Sequence, residues 1–353
     1  MIFMNKQTEK KFTILKKAES VLKLYIIIIE QFIYPIIAIV KIDPYKLLST
    51  LKIKIKPLND ELLFIPPYAG HIGDMVYILN LSKPLMLERS LKMSIIVFDE
   101  KQFEVASLFK SDLKRIIRVD PGNLDYNFYR IQGLIYFIIF GSIKPGKINY
   151  ICQIVPDRLA ALMGDTVYNY LKRRLNIKNL EEKFSIPIVD YETRSLVYSK
   201  LEKMGFEKGK TIILNPYTHS GSVGTTDFWN NLVHELKKLK FKVITYVVGD
   251  QKPIYGTVGL NSTISEIIPI AEFSGTVITI RSGFSDLLQF AQCRIVNISP
   301  SKYLYGLPKE KTYINFVSPL NNSSNHLDLI LENGMYEVAI ERILQFVQTQ
   351  IVS

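Results

Sequence analysis

Short apolar segments alternate with amphipathic helical segments along the sequence after residue 60. This alternation predicts parallel sheets covered by helices, because neighbouring parallel strands need long crossover connections. The polar stretch 176–191 contains Pro187 and predicts a boundary between two α/β units. Strands are predicted at 61–67, 93–99, 115–120, 147–154, 211–215, 242–248, 276–280, 294–298 and 312–317, and helices at 101–110, 126–140, 157–175, 228–239, 263–273 and 284–291.

These boundaries predict four segments. An N-terminal extension occupies 1–60, the first α/β unit occupies 61–190, and the second occupies 191–325. The last segment, 326–353, is amphipathic and is expected to be a C-terminal helix.

The N-terminal extension is basic and partly apolar. It holds eleven lysines against five acidic residues, a difference of six within a formal net charge of +11. Its apolar stretch 24–40 is shorter than a spanning helix and is interrupted by Glu30, Gln31 and Pro35. A helix packed on the protein or on a membrane surface is favoured, with a plain core helix and, last, a membrane span as the alternatives. An anionic membrane surface is the expected partner, and no nucleic acid is expected because the sequence lacks zinc-finger, RRM-like and helix-turn-helix signatures.

Cysteine and histidine usage argues against a disulfide framework and against a metal site. Cys152 and Cys293 lie far apart in apolar segments, so both are expected to be small buried hydrophobic residues in a reducing compartment. The four histidines have no metal-ligand spacing. The N-terminus lacks a secretory signal pattern, and export is therefore not expected.

The first candidate site follows the strand at 61–67. A turn with Gly70, His71 and Gly73 leads into a helix whose first turn contains Asp74. Asp74 is either an acid that complements the helix dipole or a general base at the carboxyl end of a strand, where open α/β sheets bind ligands.

Two more candidate sites lie in the second unit. The loop 216–227 follows the strand at 211–215 and offers hydroxyl groups and free amides for phosphate, although an irregular surface loop has the same composition. The stretch 274–291 is a strand, a turn and a helix, which can seat a diphosphate at the helix N-terminus or be an ordinary connection. The residues concerned are Tyr217, Ser220 and Thr225 in the loop, and Arg281, Ser282, Gly283, Phe284 and Ser285 in the turn.

Two α/β halves with a glycine turn after a strand resemble the two-domain GT-B glycosyltransferase fold. Over about residues 61–306 the chain resembles the ADP-heptose:lipopolysaccharide heptosyltransferases, glycosyltransferase family 9. The resemblance rests on Gly73-Asp74, on Asn215-Pro216 followed by Asp227-Phe-Trp229, and on Arg281-Ser-Gly-Phe-Ser285 after a helix with Glu266.

The resemblance implies two Rossmann-like domains that face each other across a cleft, with Asp74 as the catalytic base. It implies a donor diphosphate at the 281–285 turn, and nucleotide or sugar contacts from Tyr217, Gly249, Asp250, Glu266 and Asp286. The chain departs from the family at Arg281, where aspartate is usual, and at Asp286, where histidine is usual. The loop 218–227 also lacks a lysine. An arginine beside a diphosphate could replace that lysine.

The expected activity is transfer of a sugar from a nucleotide-diphosphate donor to a glycan or lipid-linked acceptor in bacterial surface polysaccharide synthesis. Inversion at the anomeric carbon is implied, and no metal and no cofactor besides the nucleotide sugar is expected, since the sequence has no Asp-x-Asp motif. The expected location is cytoplasmic and peripheral at the inner face of the cytoplasmic membrane. The alternatives are a sugar-nucleotide epimerase of similar architecture and a catalytically inactive scaffold protein that binds nucleotide sugar.

Overall fold

The structure of this 353-residue protein is a computed structural model, which describes residues 60–66, 72–119, 150–152, 177, 184–217, 224–300, 325–332 and 334–349. The first unit contains β1 (Glu61–Ile65), α1 (Ile72–Leu79), α2 (Ser82–Arg89), β2 (Lys92–Val97), α3 (Glu100–Leu108), β3 (Leu113–Arg118) and β4 (Tyr150–Cys152). The second unit contains α4 (Tyr191–Lys203), β5 (Thr211–Asn215), α5 (Thr226–Lys238), β6 (Lys242–Tyr246), β7 (Val258–Leu260), α6 (Ile264–Ser274), β8 (Gly275–Ile280), α7 (Gly283–Leu288), β9 (Arg294–Pro300), β10 (His326–Leu331) and α8 (Tyr336–Gln348).

Each unit is built on its own parallel sheet. The first sheet has the order β3-β2-β1-β4, and the second has the order β10-β9-β8-β5-β6-β7. Every pair of neighbouring strands is parallel. Numbered from its own first strand, the second sheet has the Rossmann order 3-2-1-4-5-6. The predicted fold class, α/β with two Rossmann-like units, is therefore confirmed.

The strands form because apolar and β-branched residues run without interruption. In β5 all five residues are buried, and its neighbours β6 and β8 are buried along nearly their whole length. A strand covered on both faces by helices gains no advantage from polar alternation, so a continuous apolar run is typical of this position. This is why the segment 211–215 could be predicted to the residue.

The helices begin and end at clear local signals. In α5 the Thr225 side chain accepts a hydrogen bond from Phe228 N at 3.2 Å, and the last turn carries Lys237 and Lys238. The buried residues of this helix recur at helical spacing, at 228, 229, 232, 233 and 236. Helix α6 begins with a capping box between Thr263 and Glu266.

One hydrophobic core joins the two units. It contains Leu62, Phe64 and Met75 from the first unit together with Ile213 and Val277 from the second. A separate core lies on the opposite face of the second sheet, under α5 and α8. Helices make the contacts between the units in this core: α1 packs against α7, and α3 packs against α6. The contact of α1 with α7 places the candidate site.

The connection between the units packs on the first unit. Ser185 N donates to Asn80 O at 3.0 Å, and the Ser185 and Ser82 hydroxyl oxygens lie 2.6 Å apart. Further along, Ile188 N donates to Leu108 O at 2.7 Å. The segment 184–190 is thus tied down before the chain enters α4.

Two predictions about the elements need correction, and three elements were missed. The segment 326–353 does not begin as a helix, because His326–Leu331 forms β10, which pairs with β9. The period of two between Leu327, Leu329 and Leu331 suits a strand better than a helix. The helix predicted to reach residue 291 ends at Leu288. Elements α2, α4 and β7 were not predicted.

Several predictions fall outside the described residues. They are the extension 1–60 apart from Asp60, the helices at 126–140 and 157–175, and the strand at 312–317. Among the helices that the structure describes, none is long and apolar enough to cross a membrane.

Burial should make Cys293 unreactive in the folded protein. The thiol is free and buried, and burial raises its pKa to about 12. Because only the thiolate reacts quickly, iodoacetamide at pH 8 should modify Cys293 slowly in the native protein and rapidly in guanidinium chloride. Mass spectrometry of the peptide that contains residue 293 separates its modification from that of Cys152. Equal rates in the native and unfolded protein would contradict the expectation.

Candidate functional site

The topology of the second sheet creates a crevice at the carboxyl ends of β5 and β8. The chain leaves β5 toward β6 on one side, whereas β8 continues toward β9 on the other side. Connections that depart in opposite directions leave a gap between them, and open α/β sheets bind ligands in such gaps. The loop predicted at 216–227 and the turn predicted at 281–283 both leave the sheet here, although the helix after the loop begins at Thr226 and not at residue 228.

The loop after β5 ends at the N-terminus of the thirteen-residue helix α5. Tyr217 donates its hydroxyl proton to Lys252 O, which joins this loop to the connection after β6. Gly224 has φ +77°, and a Cβ there would lie 2.8 Å from Phe228 Cδ1, so the position requires glycine. Ser220 lies outside the described residues, and the hydroxyl of Thr225 caps α5. Phosphate contacts from Ser220 and Thr225 stay a prediction.

The turn after β8 is held by its own serine residues. Ser282 N donates to Ser285 Oγ at 3.0 Å, and Ser285 Oγ donates to Ser282 O at 2.7 Å. Phe284 packs against Tyr246 of β6, with 4.7 Å between the ring centroids. The hydroxyl of Ser285 and the amide of Ser282 are therefore used locally, which shapes the turn.

A polar network at this turn links the two units. The guanidinium of Arg281 lies 2.7 Å from Asp286 Oδ1, and both side chains are largely buried, at 19% and 10% exposure. Tyr77, on α1 of the first unit, donates to the same carboxylate oxygen at 2.9 Å and accepts from Arg281 Nη2. Three largely buried side chains from the two units thus form hydrogen bonds and an ion pair with one another.

The charges in this network fix the ionisation of Arg281. Burial alone would lower the pKa of Arg281, but the charge of Asp286, then Tyr77 and the charge of Asp328, outweigh burial and raise it. Burial raises the pKa of Asp286, and Arg281 and Tyr77 oppose that rise. Burial outweighs these two partners, so the pKa of Asp286 is raised overall. The separation of 2.7 Å between the guanidinium and Asp286 Oδ1 has the geometry of an ion pair.

Two glycines allow helices α1 and α7 to touch. A Cβ on Gly283 would lie 2.7 Å from Gly73 N and 3.3 Å from Ile72 Cβ. A Cβ on Gly73 would lie 2.3 Å from Asp286 Oδ2 and 3.1 Å from Gly283 Cα. Neither position tolerates a side chain, because these distances are below ordinary van der Waals contact. The close approach brings position 74 next to the turn after β8.

The structure shows local roles for some of the other predicted residues and does not describe the rest. Gly249 and Asp250 lie in an exposed turn after β6. The Glu266 carboxylate accepts from Thr263 N at 2.9 Å as part of the cap of α6. Gly70, His71 and the Asp74 side chain lie outside the described part of the chain. The roles assigned to these residues stay predictions. Among the residues that the structure describes, no three His, Cys, Asp or Glu side chains form a group that could hold a metal ion.

Sequence reasoning missed Tyr77. Its partner Asp286 lies 209 residues away, so nothing local connects the two positions. The available signal was the spacing within α1, since position 77 lies one helical turn beyond Gly73 and Asp74 and therefore on the same side of the helix.

It also missed a polar row across the second sheet. Asn215, Thr279, Asn297 and Asp328 stand opposite one another on β5, β8, β9 and β10. Asn215 Nδ2 donates to Thr279 Oγ1 at 3.1 Å, which ties β5 to β8 beside the crevice. Such a row becomes visible only once the strand register is known.

Comparison with known proteins identifies the fold. No family model matches the chain, and no curated protein sequence does. The glycosyl transferase family 9 protein from Veillonella parvula matches with a TM-score of 0.55 and 10% identity, over 84% of this chain and 99% of that one. The E. coli ADP-heptose LPS heptosyltransferase II matches with a TM-score of 0.54 and 11% identity, over 82% of this chain and 99% of that one. The chain therefore shares the fold of these glycosyltransferases, and the structural resemblance predicted from the sequence is confirmed.

The contact between Gly73 and Gly283 should be intolerant of a methyl group. Gly283→Ala would force α1 and α7 apart and should lower the free energy of unfolding by about 1–3 kcal/mol. The matched control is Gly259→Ala, because a Cβ there would meet its nearest heavy atoms at 3.5 Å, an ordinary contact. Chemical denaturation of the three proteins gives the comparison. A Gly283→Ala variant as stable as the wild type would contradict the contact.

Proposed function

We propose that this protein is a glycosyltransferase that moves a sugar from a nucleotide-diphosphate donor to an acceptor hydroxyl. The observation that carries the proposal is the contact between Gly73 on α1 and Gly283 at the turn after β8. This contact puts a helix start that bears an acid, Asp74, beside the crevice of a Rossmann-like sheet. The fold shared with two glycosyltransferases adds support.

The donor would occupy the crevice between β5 and β8. Its diphosphate would meet the N-terminus of α5, whose first amides have no partner within the helix, and the guanidinium of Arg281 at the end of β8. These groups would stabilise the negative charge that develops on the leaving diphosphate, and we expect no metal in that role. The loop residues Tyr217, Ser220 and Thr225 would border the same space.

The reaction would be a single displacement. The acceptor oxygen would form a bond to the anomeric carbon while the bond between that carbon and the diphosphate oxygen breaks, and the electron pair would leave with the diphosphate. Asp74 would take the proton of the acceptor hydroxyl as general base. Attack opposite the leaving group inverts the configuration at the anomeric carbon.

The acceptor would be a glycan or a lipid-linked glycan of a bacterial surface polysaccharide. The basic extension 1–60 and its apolar stretch 24–40 support a peripheral position at the inner face of the cytoplasmic membrane. Such a position would bring the protein to an acceptor that is itself held in the membrane.

Asp74→Asn tests the proposed base. A thermal-shift screen of nucleotide sugars first identifies the donor, since a ligand of the folded state raises its apparent stability. With that donor, Asp74→Asn should lower the rate of transfer by a factor on the order of 10²–10⁴, because the acceptor proton then has no base. Nucleotide affinity should stay unchanged.

Glu192→Gln is the matched control, because Glu192 is also an acid in the first turn of a helix, α4, and its side chain is exposed. It should leave transfer unchanged. Full transfer by a folded Asp74→Asn protein would refute the base assignment. Turnover of the nucleotide sugar without any acceptor would instead indicate an epimerase, and binding without turnover would indicate a scaffold protein.

The basic extension should bind anionic vesicles. Full-length protein should co-sediment with phosphatidylglycerol vesicles at low salt and dissociate as salt rises, because each lysine near the surface adds about 1 kcal/mol. Changing Lys10, Lys11, Lys16 and Lys17 to glutamine should weaken sedimentation strongly. Neutral phosphatidylcholine vesicles are the control. Absence of binding to anionic vesicles by the wild type would refute the peripheral location.

A further inference from the structure

Arg281 stands at the edge of the crevice but is already paired. Its backbone N donates to Ile298 O at 2.9 Å, so the residue is still fixed to the sheet when its side chain turns toward α7. The guanidinium meets Asp286 at 2.7 Å, and the two side chains are largely buried. A diphosphate that approaches Arg281 therefore meets an ion pair instead of an isolated cation.

A second carboxylate acts on the same guanidinium. Asp328 lies on β10, in the row opposite Asn297 and Thr279, and Thr279 is two residues before Arg281. Position 328 is two strand spacings from β8, about 10 Å. The charge of Asp328 favours the protonated form of Arg281. Among the described groups, Arg281 thus feels two carboxylates, which offset part of its charge toward a ligand.

Carboxylates beside Arg281 should affect the binding of two kinds of ligand differently, because the ligands differ in charge. In a nucleotide sugar each of the two phosphates carries one negative charge, because both are diesters of the diphosphate linkage. In a free nucleoside diphosphate the terminal phosphate gains another charge above a pKa of about 6. That additional charge falls on the end of the diphosphate from which the sugar has left. Carboxylates near that end repel the free diphosphate more strongly than the nucleotide sugar.

We propose that Asp286, with Asp328 in support, is a specificity-determining residue of the donor site. Its carboxylate shares Arg281 with the diphosphate and selects the nucleotide sugar against the more highly charged free nucleoside diphosphate. The inference rests on the proposed function and deepens it. It assigns to the acid at position 286 a role in rejecting the product, which has to leave before the next donor enters.

The contacts of Asp286 hold its carboxylate in one position. Tyr77 and Arg281 hold its Oδ1, while Oδ2 points toward the Gly73 side of the contact, 2.3 Å from where a Cβ would stand. The carboxylate is therefore fixed in position between the two units. A fixed charge in a region with little water acts more strongly on a nearby ligand charge than a mobile surface carboxylate does.

The test measures dissociation constants for ADP, ADP-glucose, UDP and UDP-glucose by calorimetry. Asp286→Asn keeps the size of the side chain and a hydrogen-bond acceptor for Tyr77, but it removes the charge. It should raise affinity for the free diphosphate of the preferred base by about tenfold and for the corresponding nucleotide sugar by only about two- to threefold. The ratio of the two affinities, and not the affinity itself, is the diagnostic quantity.

Asp328→Asn is the second variant, because its exposed position on β10 makes the substitution safe for folding. It should shift the ratio in the same direction by a smaller factor. Glu235→Gln is the control. Glu235 pairs with Lys238 near the C-terminal end of α5, so this substitution changes the net charge by the same amount outside the polar network. This control should leave the ratio unchanged.

The outcomes separate the inference from the proposed function. Wild-type binding with a ratio that neither variant changes would overturn the inference alone, and so would weaker binding of the free diphosphate by both variants. If the wild type binds no nucleoside diphosphate and no nucleotide sugar, the proposed function fails and the inference fails with it.

Discussion

The contact of Gly73 with Gly283 decides how the two units of this protein meet. Both glycines lie at helix starts, and a methyl group on either would come within 3 Å of the other unit. The absence of side chains lets α1 approach the turn after β8 closely enough for Tyr77 to reach Asp286. The polar network and the position of residue 74 beside the turn after β8 follow from this approach.

The network in turn fixes the register of the contact. An ion pair withdrawn from water contributes little net stability, because the cost of desolvation offsets much of the attraction. Removing one partner is costly, however, since the other is left as an unpaired buried charge. Arg281 and Asp286 both belong to the second unit, and Tyr77 is the residue that links this pair to α1. An arrangement of the units that withdraws Tyr77 would remove its hydrogen bonds from the buried pair and is therefore penalised. A contact made of glycines alone would not be as selective.

The sequence predicted those features whose causes are local. The buried strand 211–215 is a run of apolar and β-branched residues, and the start of α5 carries a threonine cap, so both are visible without any partner. Helix α4 was missed because only Val197 and Leu201 of its thirteen residues are buried, which leaves a weak helical pattern. Strand β10 was missed because the helical pattern of the C-terminal segment was extended back over residues 326–331. In the folded chain these residues pair with β9.

Predictions about the site also succeeded where the cause is local or topological and failed where it depends on distant residues. Topology brings the 216–225 loop and the 281–283 turn to one edge, as expected for segments that follow neighbouring parallel strands. The local sequence could not indicate that Arg281 is neutralised, because that depends on Asp286 after a helical turn, on Tyr77 in the other unit and on Asp328 two strands away.

An arginine at the end of β8 looks like a free anion receptor when only its neighbours in sequence are considered. In the folded chain this arginine is paired with Asp286 and also feels the charge of Asp328. The attraction of Arg281 for an anionic ligand is therefore weaker than that of an isolated cation. An apolar contact of similar size could hold α1 against α7 with no loss of stability, since a buried ion pair gains little over a well-packed hydrophobic one. The ionised groups at this contact therefore contribute selectivity between alternative packings of α1 and α7 and add little stability.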